Sequence, residues 1–189
     1  MENEQHLNPN ESLALISEVI NKTKENIREQ SFIYLLWGWV IALASFSSFL
    51  LLSCTSFTLY FLPFPVFSVL AVMAHLAFYA RQKRTNTQTY LAHFLSKMWL
   101  VIGGSFFLIA FVSVSQHIPP FSYTIILCGI GTLISGLLMN YKPLSAGGFL
   151  FFIFAIISAY VTIEYKILLQ GIAIILGNLI PGYMLKRSK

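Results

Sequence analysis

Few side chains in this chain can do acid–base or ligand chemistry. All seven acidic residues are Glu, and six of them precede Ser31, which leaves Glu164 as the single carboxylate in the rest of the sequence. General acid–base catalysis needs paired groups of matched pKa, and no such pair is present, so the sequence argues against an enzyme. His75 is the ionisable side chain placed well inside an apolar segment, six residues before Arg81 and so about 9 Å from the charged boundary. A histidine there could shuttle a proton or hold a metal or haem, but further ligands are needed at the same depth. His93 falls near a boundary and His117 at the opposite one, so no metal and no cofactor is expected, and a hydrogen-bonded structural imidazole is the simpler reading. Cys54 and Cys128 lack metal or redox spacing and read as small apolar residues. Ser135 before Gly136 is placed like the serine of an intramembrane protease, yet the full glycine-flanked motif and a partner His are missing.

A second polar set lies in the last apolar segment, where Gln170, Asn178 and Pro181-Gly182 interrupt a helix-forming run. Proline has no N–H, so it frees the carbonyl of Gly177 four residues earlier. Irregular backbone beside an Asn can line an ion or substrate site in transporters, whereas a kinked helix end with an interhelical hydrogen bond is the simpler account. His75, Gln170 and Asn178 are therefore the candidate ligand-binding set of a transporter reading, and their convergence on one cavity would decide for it. Gly131 with Ser135, Thr132 with Gly136, and Ala173 with Gly177 are small residues four apart, the spacing that lets helix backbones approach closely in lipid.

These residues need a membrane to position them. With 57% hydrophobic and 10% charged residues over 189 positions, the chain lies outside the range of ordinary soluble domains. The hydrophobicity predicts six spans, at about 32–53, 59–80, 98–116, 121–140, 146–163 and 167–185, each near the ~20 residues that cross ~30 Å of hydrocarbon. Eleven of the 12 Lys and Arg residues fall at segment ends on one side, and only Lys166 falls on the other. Loops rich in Lys and Arg stay cytoplasmic, which predicts both termini inside. Short outer connections at 54–58, 117–120 and 164–166 predict three antiparallel hairpins. The stretch 85–97 is expected to lie along the inner interface. Trp37, Trp39, Trp99, Tyr141 and Tyr183 near the inner boundary, with Tyr60, Tyr123 and Tyr165 near the outer, fit aromatic belts. Gly103-Gly104 and Gly147-Gly148, at the starts of the third and fifth spans, hint at a repeat of the hairpins. The dispersed basic residues do not form a nucleic-acid surface, and the polar, acidic start does not read as a cleavable signal peptide.

Residues 1–31 read as a cytoplasmic segment, distinct from the bundle of 32–189. Asn8, Pro9 and Glu11 form a helix-start signal, and Leu13, Ile16, Ile20 and Ile27 recur at helical spacing as an apolar stripe. Six Glu against three basic residues make this segment a poor ligand for anionic lipid, so its stripe is expected to dock on protein: a partner, a second copy, or the bundle itself. The opening ESLALISEVINKTKENI, the following YLLWGWV and the ending LGNLIPGYMLK resemble a family of small bacterial six-span membrane proteins to which no activity is attached. The resemblance covers nearly the whole chain and implies a bacterial inner-membrane location, with no site residue carried over. The sequence thus predicts an all-α, six-helix membrane bundle preceded by an amphipathic helix, acting as a non-enzymatic module in the lipid bilayer. A small transporter or ligand-binding membrane protein is the alternative.

Overall fold

The computed structural model describes residues 9–55, 59–82 and 90–187, with side chains from residue 31 onward except 33, 78–82, 90 and 92. Among the described residues every regular element is helical: α1 (Pro9–Cys54), α2 (Pro63–Gln82), α3 (Tyr90–Ser115), α4 (Phe121–Leu138), α5 (Lys142–Ala159), α6 (Ile163–Ile174), a π-helical turn (Ile175–Leu179) and α7 (Ile180–Arg187). The last three form one continuous rod, Ile163–Arg187. Five helices are long and apolar enough to cross a membrane, and α2 contributes a further apolar stretch, Pro63–Ala77. Several apolar helices of this length belong in a lipid bilayer, so this is a multi-pass membrane protein.

Helix boundaries follow local backbone chemistry and differ from those drawn from hydrophobicity. Proline suits the first helical position, where its missing N–H has no partner to lose, and both α1 and α2 begin on one, Pro9 and Pro63. Nothing between Pro9 and Gly38 breaks a helix, so α1 runs without interruption through the expected boundary at residue 31. The side chains of Leu13, Ile16, Ile20 and Ile27 lie outside the described residues, as do residues 83–89. From Tyr90 to Lys97 the chain forms the first turns of α3 rather than a separate interfacial segment, with Leu95 buried and Phe94 exposed.

Between α4 and α5 the turn is tighter than expected. Asn140 adopts φ 48°, Tyr141 N–H donates to the Gly136 carbonyl at 2.8 Å and Asn140 N–H to Leu137 at 3.1 Å, a Schellman cap with Asn in the left-handed position. Helix α5 therefore starts at Lys142, four residues before the drawn span. His117, with φ 59°, closes α3 in the same way: Ile118 N–H donates to Ser113 at 2.9 Å and His117 N–H to Val114 at 3.1 Å. Glu164 to Lys166 are not a loop. They occupy the first turns of α6, where the Glu164 carboxylate accepts from Thr162 Oγ1 at 3.0 Å beside the positive helix end.

Helices α1, α4, α5 and the final rod form the packed centre. The α4–α5 interface and that of α1 with the final rod are the most extensive, and neither joins two helices of one expected hairpin. Phe151, Ile125, Cys128, Ala173, Ile174 and Leu179 fill the middle of this core. A second cluster of Tyr34, Leu95, Met139, Leu144 and Leu185 closes the end that carries Lys142, Lys186 and Arg187, called the basic end below. Among the described residues α2 packs on α1, and α3 packs on α4 with a small contact on α1. Both outer helices turn broad apolar faces outward, Leu100 and Phe111 of α3 being about three-quarters exposed, as suits hydrocarbon.

Candidate functional site

The irregular backbone expected around Pro181 is present and takes a definite form. A proline inside a helix removes one rung of the ladder and crowds the preceding turn. Here the preceding turn widens to π geometry, and Ile180 N–H reaches back five residues to the Ile175 carbonyl. π turns of this kind are frequent at functional sites. The Gly177 carbonyl, whose α-helical donor would have been residue 181, lies against Gly147 of α5 where a side chain would otherwise begin. In return, a methyl group on Gly177 would come within 2.9 Å of the Gly147 carbonyl oxygen and 2.6 Å of the Phe151 ring. Two glycine backbones thus touch directly, a geometry suited to Cα–H···O contacts.

Asn178, next along the turn, is 5% exposed, and its Oδ1 has no hydrogen-bond partner. It faces Gly38 of α1, whose added Cβ would sit 3.5 Å from that oxygen and 2.7 Å from Leu179. Gln170 stands two turns earlier and meets a different helix: Thr124 Oγ1 of α4 lies 3.2 Å from its Oε1 and 2.8 Å from the Phe121 carbonyl. Thr124 thus donates to both acceptors, the Phe121 carbonyl holding the shorter bond and Gln170 Oε1 the longer. His75 is half-buried on α2, with a shielded, unpartnered Nδ1. The three candidate ligand-binding residues therefore occupy separate environments: Gln170 against α4, Asn178 against α1, and His75 on the outer helix. Among the described residues no three His, Cys, Asp or Glu side chains gather.

The small residues singled out in α4 meet α3. A Cβ on Gly131 would come within 2.8 Å of Ile102 and 3.0 Å of Trp99, and Ser135 Oγ donates to the Gly131 carbonyl at 2.7 Å. Ala173 is fully buried in the central cluster. Ser135 also belongs to a polar node that the sequence did not reveal. Trp99 Nε1 lies 3.2 Å from both Tyr34 Oη and Ser135 Oγ, and the Tyr34 and Trp99 rings meet edge to face at 5.7 Å. This node ties α1, α3 and α4 together at the basic end. Trp99 alone reads as a belt residue; its partners are 65 and 36 positions away, so spacing carries no signal of the contact. Trp39 and Tyr183, by contrast, remain exposed and bond to each other at 3.0 Å, an interfacial pair. Beside the node, partial burial raises the phenol of Tyr141 above its ordinary pKa, so it stays neutral at physiological pH.

The site offers neutral hydrogen-bonding groups and irregular backbone in a buried, uncharged interior. Comparison of the chain with protein-family models, with curated proteins and with solved structures gives no match.

Proposed function

We propose that this protein is a non-enzymatic membrane module that presents a protein-docking helix at the cytoplasmic face of a bacterial inner membrane. The continuity of α1 carries this reading. A 46-residue helix is about 69 Å long, more than twice the ~30 Å hydrocarbon thickness. The stretch from Pro9 to residue 30 therefore extends from the span as one rod instead of joining it through a flexible linker. An unbroken rod does not double back onto the end of its own bundle, which favours a separate protein as the surface covering Leu13, Ile16, Ile20 and Ile27. Covering each of these would contribute about 1.5–3 kcal/mol, enough for a stable contact. The Glu content of this stretch makes adsorption to anionic headgroups unfavourable.

The same proposal places six spans in the bilayer, α2 included, with both termini on the cytoplasmic side, three consecutive hairpins and the basic end inward. The decisive experiment is crosslinking and affinity isolation of the full chain from native membranes. Replacing Ile16 and Ile20 with Ser is expected to remove a specific co-purifying protein while the bundle keeps its thermal stability. Amides of residues 9–30 that exchange freely in native membranes, with or without neighbouring proteins, would overturn the docking reading.

A further inference from the structure

Buried polar side chains in the bundle align along its length. Contacts fix the register. On α1, Leu35 and Tyr34 meet Gly182, Gly38 meets Asn178 and Leu179, and Ser45 with Phe46 meets Gly171, so α1 and the final rod run antiparallel. Helices α4 and α5 are antiparallel through Gly136 with Ser145, Leu133 with Gly148 and Gly129 with Phe151, while α5 meets the final rod at Gly147 and Gly177. It follows that α4 and the rod are parallel, pinned by Thr124 and Gln170. Eight residues further along each of these two helices stand Thr132 and Asn178, which therefore share a level.

Read from the basic end, the order is the Tyr34–Trp99–Ser135 node, then Asn178 and Thr132, then Ser45, then Thr124 with Gln170, and Ser48. Thr132, Ser45 and Ser48 are 0% exposed. Asn178 Oδ1, Thr132 Oγ1, Ser45 Oγ and Ser48 Oγ all lack a hydrogen-bond partner. A serine in a helix ordinarily donates to the carbonyl of the preceding turn, as Ser105 and Ser135 do at 2.9 and 2.7 Å. Ser45 and Ser48 do not, so their hydroxyls remain available to another group. Four buried oxygens without a partner in one bundle are unusual, because buried polar atoms are nearly always satisfied by protein or by bound water. Between Gly38 and Ser48 α1 rises about 15 Å, and a water molecule bridges groups about 5 Å apart, so a few waters suffice to link the series.

We propose that these oxygens line a file of bound water inside the bundle, running from Asn178 at the π turn to Ser48. The ligand class follows from the lining: hydroxyl and amide groups that both donate and accept, with no charge among them, suit water. The π turn supplies the inner end, since it sets Asn178 in the core opposite Gly38 with its Oδ1 unpartnered, while Leu179 fills the space at Gly38 itself.

Water-edited solid-state NMR on the full chain in lipid nanodiscs tests this directly. Magnetisation should pass from water to the side chains of Asn178, Thr132, Ser45 and Ser48 and not to Ile174 in the central cluster. Absence of transfer at Thr132 and Ser45 in the unmodified protein would overturn the file, as would transfer confined to Asn178. The shape-conserving Thr132→Val is expected to weaken transfer at Asn178 and Ser45 and to lower the melting temperature. A raised melting temperature with unchanged transfer at both neighbours would show that the oxygens act separately.

Discussion

Gly147 and Gly104 belong to two glycine pairs that look alike in the sequence, yet the structure gives them opposite surroundings. At Gly147 a methyl group would collide with the Gly177 backbone, whereas nothing lies within 4 Å of the same position at Gly103 or Gly104. Gly147→Ala is therefore expected to cost about 1–3 kcal/mol through overpacking against a carbonyl that cannot yield. Gly104→Ala should be neutral or stabilising by up to ~1 kcal/mol, because alanine is the better helix former. Thermal unfolding of the two variants in the same detergent checks this, and equal losses would mean that α5 and the π turn do not touch as described. Small-residue spacing shows which residues permit close approach; it does not say which neighbour uses the permission. Gly38 is the converse case. It stands four residues before Ala42, the same small-residue spacing, between two tryptophans that read as a belt, and α1 meets the π turn there.

Much of the helical content was legible at the level of elements, because apolar runs of about 20 residues admit few alternatives in lipid. Boundaries were less legible, since they depend on backbone events that hydropathy averages away. Asn140 in a left-handed cap pulls the start of α5 forward to Lys142, and α6 begins at Ile163, right after an extended Thr162 whose hydroxyl donates to Glu164. The node holding α3 was hidden for another reason: it joins three helices far apart in sequence. Helix α3 is the element most dependent on it, because most of its surface faces outward. Trp99→Phe keeps an aromatic ring but removes the donor to Tyr34 and Ser135, and is expected to cost about 1 kcal/mol. A cycle with Tyr34→Phe should give a coupling energy of about 0.5 kcal/mol or more, and strict additivity would argue against a shared hydrogen bond. At the π turn, Pro181→Ala restores the missing N–H. The amide at 181 is expected to be slow in hydrogen exchange and the melting temperature to rise, since an interior proline costs about 3 kcal/mol. A fast-exchanging amide there would mean that packing against Gly147, and not the proline, holds the turn open.

For the molecule as a whole the decisive element is α2. Tyr34 of α1, Leu95 of α3 and Leu185 of the final rod share one cluster, so the apolar stretches of α1 and α3 both start and the rod finishes at the basic end, and α2 must carry the chain back between α1 and α3. Its 20 residues give a rise of about 30 Å, enough to cross, yet among the described residues it packs on α1 and exposes most of its other faces. The positive-inside rule favours crossing, because Arg81 stands in the last turn of α2 and Lys83 and Arg84 follow it in the sequence, while no Lys or Arg lies between Arg28 and its start. Single cysteines at Thr55 and Gln82, in a background with Cys54 and Cys128 replaced by Ser, bracket the helix. Thr55 is expected to react with an impermeant thiol reagent from outside intact cells and Gln82 only after the membrane is opened. Exposed Tyr160 should share the behaviour of Thr55, and Asn140 that of Gln82. Labelling of Thr55 and Gln82 from the same side would leave α2 as an apolar helix that enters without crossing. Such a result would contradict the antiparallel run of α1 and the final rod and the cluster that gathers Tyr34, Leu95 and Leu185 at one end of the bundle.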